Sequence, residues 1–264
     1  MNAKINAGID KLIWQGKKGS EFNFSAGFDG LLKLIESDID TLKLNASIGS
    51  LAIQGISIAS NGVVTVASTA TLKTGDYVTI TGANANTRVG GIGINGQSFR
   101  ITVVNASTFQ LNAKTTGTAT ATAGTVHMLN AGNVIEVLTA IYNACPDKVK
   151  HADDFFLAIP MHIADAYRLN LAANSTGLGA YFTGEKPLNF LGKALIEMPY
   201  FNHNTIVAVR KSNLFFGTDL LSDFNSVQVV DMRASTADQK VRYRSNFAVD
   251  VNFAFGGEIV VYRP

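Results

Sequence analysis

Between residues 58 and 127 the sequence changes alphabet. Thr, Ala, Gly, Ser, Val and Asn dominate, four basic residues (Lys73, Arg88, Arg100, Lys114) are set against one acidic residue (Asp76), and glutamate is absent. Short runs alternate with period two: Gly62-Val63-Val64-Thr65-Val66, Tyr77-Val78-Thr79-Ile80-Thr81, Phe99-Arg100-Ile101-Thr102-Val103-Val104 and Thr108-Phe109-Gln110-Leu111. Runs rich in β-branched residues, bounded by Gly, Asn and Asp, read as strands. The stretch is an all-β module of about seventy residues. Its core candidates are Val64, Val66, Val78, Ile80, Phe99, Ile101, Val103 and Phe109. The abrupt change of composition predicts an insertion into a host domain.

The flanks read differently. Residues 1–44 carry Lys17-Lys18, Glu21, Glu36, Asp38 and Asp40. Phe28 to Ile35 reads as a short helix or docking segment and the rest as an extended arm, which needs a neighbour because it cannot offset its own ordering entropy. From 133 to 150 a helix is expected. Asn133 is placed as N-cap with Glu136 completing a capping box, and Val134, Val137, Leu138, Ile141, Tyr142 and Cys145 form one apolar stripe that Pro146 ends. Asp154 to Ile159 reads as a buried strand, and Pro160 opens a second helix through Ala173. A Gly/Asn/Ser-rich loop is expected over 174–190. Strands are expected at 194–198, 205–209, 226–231, 240–251 and 258–262. The host is therefore α+β with an antiparallel or mixed sheet.

Of 264 residues, 47% are hydrophobic and 16% charged, with a net charge of +2. That is a globular composition poor in charge, which favours an oligomer that hides surface against partners. It lacks the strong basic balance of a nucleic-acid-binding domain. Cys145 is the single cysteine, so no internal disulfide forms and a reducing compartment is the natural reading. The amino terminus lacks the apolar core of a secretory signal, and no apolar run approaches the ~20 residues that a bilayer requires. The expectation is a chain made and folded in the cytosol.

No segment carries an active-site signature. Gly91-Ile92-Gly93-Ile94-Asn95-Gly96 fits G-x-G-x-x-G, but dinucleotide binding requires a helix after it, whereas Gln97 to Thr102 reads as a strand; the glycines read as a hairpin loop. His127, His151, His162 and His203 show no metal-ligand spacing. Cys145 lies on an apolar stripe and reads as core. Asp153-Asp154 reads as a solvated boundary, because adjacent residues at a strand edge point to opposite faces. Lys240, Arg242 and Arg244 alternate on one strand face, suited to solvent, to a neighbour's carboxylates or to nucleic acid. Asn45 and Asn105 open Asn-x-Ser/Thr sequons with no secretion signal to make them meaningful. A nucleophile elbow and a Walker loop are absent from the sequence. The expectation is no catalytic, cofactor-binding or metal residues, no cofactor, and no enzyme.

An ordered set of segments resembles the major capsid proteins of tailed bacteriophages with the Hong Kong 97-like fold. The segments are Leu12-Ile13-Trp14-Gln15-Gly16 and Phe28-Asp29-Gly30-Leu31-Leu32, then Asn133 to Tyr142, then Asp154 to Pro160. They continue with Leu214 to Leu220 before Val227 to Asp231, and end on Tyr243 to Phe247 and Phe255 to Tyr262. The insert resembles small β-barrel repeats of phage structural proteins, which are similar to the first catalytic-cysteine half-domain of ubiquitin-activating enzymes; no cysteine lies within it.

This resemblance implies an N-terminal arm (1–44), a peripheral domain with spine helix (45–57 and 128–152), the β-domain at the extended-loop position (58–127), and an axial domain with returning C-terminal strands (153–264). It implies self-assembly as pentamers and hexamers into an icosahedral virion shell around double-stranded DNA, built in the host bacterial cytoplasm. The implied partners are scaffolding, portal and decoration proteins, with non-specific DNA contact and no membrane. The family's lysine–asparagine crosslink cannot be matched to residues here. The chain starts almost at the arm, so a separate scaffold or a trimmed chain is expected. Two alternatives are an encapsulin-like compartment and a tail or surface adhesin binding glycans through the β-domain.

Overall fold

The structure is a computed structural model that describes residues 2–18, 28–45, 49–84, 87–117, 121–174, 188–199, 201, 204–218, 228–231, 241–244 and 249–263. In chain order its elements are α1 (Asn2–Gln15), α2 (Leu31–Ser37), β1 (Leu42–Asn45), β2 (Ser50–Ile56), β3 (Val63–Val66), β4 (Tyr77–Thr81), β5 (Arg88–Val89), β6 (Ile92–Gly93), β7 (Gln97–Arg100), β8 (Thr102–Val103), β9 (Thr108–Gln110), β10 (Thr115–Thr116) and β11 (Thr125–Met128). The chain continues with α3 (Val134–Ala144), α4 (Asp147–Lys150), β12 (Phe155–Pro160), α5 (Met161–Asn174), β13 (Leu188–Phe190), β14 (Lys193–Met198), β15 (Ile206–Arg210), β16 (Leu214–Thr218), β17 (Gln228–Asp231), β18 (Val241–Arg244), β19 (Val249–Phe253) and β20 (Val260–Arg263). Two units divide it: Met1–Asp38 with Ser212–Gly256, and Ile39–Lys211 with Gly257–Pro264.

The larger unit holds two separate apolar cores. The first belongs to a mixed six-stranded sheet in the order β1-β20-β15-β12-β14-β13. The pairs β1/β20 and β12/β14 are parallel and the others antiparallel. Every residue of β12 is buried, as a continuous apolar run requires when both faces of a strand are covered. The stripe on α3 packs into this core with Val134, Val137, Leu138, Ile141 and Cys145 buried; α5 adds Ile163, Ala164 and Tyr167. Pro146 breaks α3 from α4 by capping the latter. Pro160 closes β12 and does not enter the helix, so α5 starts at Met161. Of the loop expected over 174–190, Leu188–Phe190 is a strand and residues 175–187 lie outside the described set.

The second core fills the β-module. Its main sheet has seven strands in the order β7-β4-β11-β2-β3-β9-β8, with antiparallel neighbours throughout, and β10-β5-β6 form a second, small sheet. The two edge strands, β7 and β8, are consecutive in sequence and meet at the buried Ile101, so the sheet curls nearly into a barrel and few free edges remain. Val64, Val66, Val78, Ile80, Phe99, Ile101 and Phe109 are buried as expected; Val103 is half-buried and packs at the margin. The strands start at Ser50, ahead of the expected boundary at residue 58, and run to Met128 just past the expected end at 127. β2 bridges the two halves of the sheet by pairing with both β11 and β3, and the register shifts between Ile53 and Gly55. That bulge puts Ile53 and Ile56 in the core three positions apart. A period-two search therefore passes over β2.

In the smaller unit the arm is not extended as expected: Asn2–Gln15 is α-helical. Ile5, Ile9 and Leu12 fall at helical spacing, and Ile9 is buried. The turn into α2 brings two backbones together, with Gly30 N–H donating to Gly16 O at 2.8 Å. A Cβ on Gly30 would sit 2.5 Å from Gly16 N, so the approach requires glycine. Asp29 Oδ1 clasps this corner, accepting from Lys18 N at 2.8 Å and Lys33 Nζ at 2.6 Å. The hydrogen bond from Lys33 holds its carboxyl below the usual carboxylate range. Beyond the helices, β16 pairs with β19 and β17 with β18, two antiparallel ribbons nested in sequence. Of the strand expected over 240–251, Val241–Arg244 lies in β18 and residues 249–251 lie in β19, while 240 and 245–248 lie outside the described residues.

Candidate functional site

The glycine fingerprint resolves into two turns. Gly90 and Gly91 both take positive φ between β5 and β6, the geometry of a tight hairpin turn. Gly96 also takes positive φ, and its N–H donates to Ile80 O at 2.7 Å as the chain enters β7. No helix N-terminus follows to receive a pyrophosphate.

The histidines are scattered. His127 Nε2 lies 2.8 Å from Thr81 Oγ1 inside the module, His151 ends α4, and His203 lies outside the described residues. Among the described residues no group of three or more His, Cys, Asp or Glu could hold a metal ion. Cys145 is 3% exposed, its thiol donates to Ile141 O at 3.2 Å, and burial pushes its pKa up to about 12. A thiol in that state is a poor nucleophile. Native protein at pH 8 should leave Cys145 unlabelled by iodoacetamide on a timescale that fully labels the denatured chain; equal labelling rates by mass spectrometry would contradict the burial.

Asp153 and Asp154 part company. Asp153 is exposed in a turn, whereas Asp154 Oδ1 accepts from Arg210 Nε at 2.9 Å. Arg210 also reaches Glu258 Oε2 at 3.9 Å, and Lys211 N–H donates to Asp154 O. Asp154, half-buried, is thus one arm of a clamp joining the segment before β12, the end of β15 and the segment before β20. The hydrogen bond to Asp154 raises the Arg210 pKa. Arg242 and Arg244 lie two apart on β18, opposite Val230 and Gln228 of β17, while Lys240 lies outside the described residues.

The module's junction with the host helices was not foreseen. Asn133 does not cap α3 through its side chain; its Oδ1 accepts from Asn130 N and its Nδ2 donates to Met128 O, both at 2.9 Å. Asn130 Nδ2 then reaches back into the module, to Thr71 O at 3.0 Å and Asp76 Oδ2 at 3.1 Å. Asn170 of α5 donates to Ala131 O. The Tyr77 ring lies 4.7 Å from that of His162, the second residue of α5, and His162 Nε2 lies 2.7 Å from Asn204 Oδ1. The pair Asn130 and Asn133, flanking Ala-Gly, was the signal available in the sequence, because asparagine so placed pins turns through its side chain.

The smaller unit presents its own surface. Phe215, Phe216 and Phe255 are exposed there. Val251, the register partner of Phe216, is buried, whereas Phe215 stands opposite the exposed Asn252. Neither large apolar core draws on this unit. The ribbon is not isolated, because β19 lies against α2, and the aromatics left exposed on it mark a surface suited to a partner. No helix among the described residues is long and apolar enough to cross a membrane.

No known protein family and no curated protein matches the chain. Among solved structures, it is similar to a protein of Mycobacterium phage Che8, with a TM-score of 0.42 and 13% identity over 50% of this chain and 49% of that one. A second similarity is to a chain described as satellite phage P4 procapsid including size determination (Sid) protein, with a TM-score of 0.31 and 12% identity over 51% of this chain and 42% of that one. The chain therefore matches half or less of the length of each of these two phage proteins.

Proposed function

We propose that this chain is a shell protein of a tailed phage or prophage, the major capsid protein with the Hong Kong 97-like fold, whose copies assemble into an icosahedral head around double-stranded DNA. The observation that carries this reading is the order of parts. Two amino-terminal helices are followed by a nearly barrel-like β-module and then by an amphipathic helix lying on a mixed sheet, and the last strand, β20, enters that sheet between β1 and β15. On this reading Asn133 to Tyr142 is the spine helix, Asp154 to Pro160 belongs to the axial domain, and the β-module stands at the extended-loop position. The exposed phenylalanines of the smaller unit and the low charge content suit a surface covered by other copies.

On this reading the role is structural and not enzymatic. Each subunit touches several neighbours, so contacts too weak to hold a dimer hold a closed shell. Polar groups such as Arg242 and Arg244 set register across interfaces more than they add affinity. DNA meets sparse positive side chains without sequence readout. Scaffolding, portal and decoration proteins complete the expected partners, and assembly takes place in the host bacterial cytoplasm.

Electron microscopy of the purified chain, alone and co-expressed with its neighbouring phage genes, should find closed shells. A denaturing gel of those particles, with and without reductant and chelator, should give a single band near 28.1 kDa. Protein that stays monomeric in every such preparation would overturn the shell reading, and ladders surviving denaturant would replace noncovalent assembly with crosslinking.

A further inference from the structure

We propose that the contact between His162 and Tyr77 is an acid-released latch: mild acidification loosens the β-module from the helix α5 on which it rests. The inference goes beyond the shell reading and needs only the folded chain.

The latch is built from three elements. Tyr77 opens β4 of the module and lays its ring 4.7 Å from His162, with an interplanar angle of 34°. His162 is the second residue of α5, where the positive end of the helix dipole disfavours an added positive charge. Asn204 is 1% exposed and meets the imidazole at 2.7 Å, while its own Nδ2 has no partner. The ring therefore contacts both an aromatic ring and a buried amide whose hydrogen bonding is already incomplete.

The charged groups around it are few. From α5, Asp165 one turn on favours the cation, but it is itself paired with Arg168 at 2.9 Å. From the module, Tyr77 faces the ring; next to it in sequence is Asp76, committed to Lys73 N and Asn130 Nδ2, and across the strand is Arg100, a like charge. From the segment before β15 comes Asn204, uncharged. Burial is the largest influence on His162 and lowers its pKa below the ordinary 6.5; the Asn204 hydrogen bond and Asp165 oppose it.

The sign follows. The docked state binds its proton less readily than the open state, so docking is at full strength above the ordinary value. It is lost progressively as pH falls through the lowered one. A charged imidazole regains water when Tyr77 lifts away. The remaining ties run from Asn130 Nδ2 to Thr71 O and Asp76 Oδ2. On this proposal the opening is on the Tyr77 side, pivoting on the segment Leu129 to Asn133 that carries these asparagine ties.

The test uses the full chain. Hydrogen exchange of residues 71–77 and 129–133, corrected for intrinsic rates, should be several-fold faster at pH 5.5 than at pH 7.5. His162→Phe keeps a ring against Tyr77 but cannot take a proton, and should remain slow at both pH values. By NMR, the His162 imidazole should titrate below the ordinary range, and Tyr77→Leu should move that midpoint upward. Absence of the acid response in the parent chain, or the same response in His162→Phe, overturns the latch. Should His162→Phe not fold, the Tyr77→Leu titration decides, and a midpoint unchanged from the parent overturns it.

Discussion

Expressed alone, residues 49–128 should unfold in one cooperative transition, whereas residues 58–127 should give a disordered spectrum. The two fragments differ chiefly by β2. That strand supplies Ile53 and Ile56 to the module core and is the middle ladder of the sheet, joining β11 on one side to β3 on the other. Without it the sheet falls into a half made of β7, β4 and β11 and a half made of β3, β9 and β8. Burying each isoleucine contributes roughly 1.5–3 kcal/mol, and the two broken ladders leave backbone groups unpaired. A domain of this size has only about 5 kcal/mol or a little more to lose, so the loss exceeds what the rest can supply. Circular dichroism on thermal ramps distinguishes the outcomes. A cooperative melt from 58–127 would show that β2 is a passenger and that the β3-β9-β8 half closes on its own.

The parts legible in the sequence share a property: one local periodicity settled them. The stripe on α3 repeats at helical spacing and is buried where the pattern says, apart from Tyr142, which packs half-exposed at the core margin. The run from Phe155 is too apolar to be anything but a strand covered on both faces. Within the module, alternation identifies Val64, Val66, Val78 and Ile80 without knowledge of their partners.

What escaped depends on more than one segment at a time. β2 hides because its bulge breaks the alternation that would reveal it. β1 is four residues paired in parallel with the chain's last strand, a contact that no local pattern encodes. Asn133 has the composition of a cap, but two backbone groups of the preceding turn compete for its amide and win. Asp154 sits beside an exposed twin, and only the fold brings Arg210 to it. The same holds for the latch: Tyr77, His162 and Asn204 are far apart in sequence, and none carries a signature before the module docks.

Substituting Phe109 by Ala should cost about 3–5 kcal/mol in the module and leave the host sheet nearly untouched, with the converse for Leu138→Ala at about 2–5 kcal/mol. Phe109 is fully buried in β9, opposite Val64 and Val103, and Leu138 is fully buried on α3. The two side chains belong to cores that share no residue, and among the described residues the junction between those cores includes asparagine hydrogen bonds and the Tyr77–His162 ring contact. Polar ties of that kind hold position but transmit little of the cost of a cavity, which falls on the atoms lining it. Amide exchange reads the two cores separately: Phe109→Ala should lower protection in β4, β11 and β3, and Leu138→Ala in β12, β15 and β20. In the double variant the losses should add to within about 0.5 kcal/mol. Protection lost equally from both cores on either single substitution would mean that the unit unfolds as a whole. In that case the module would not behave as a separable insertion, and the first fragment experiment should fail with it.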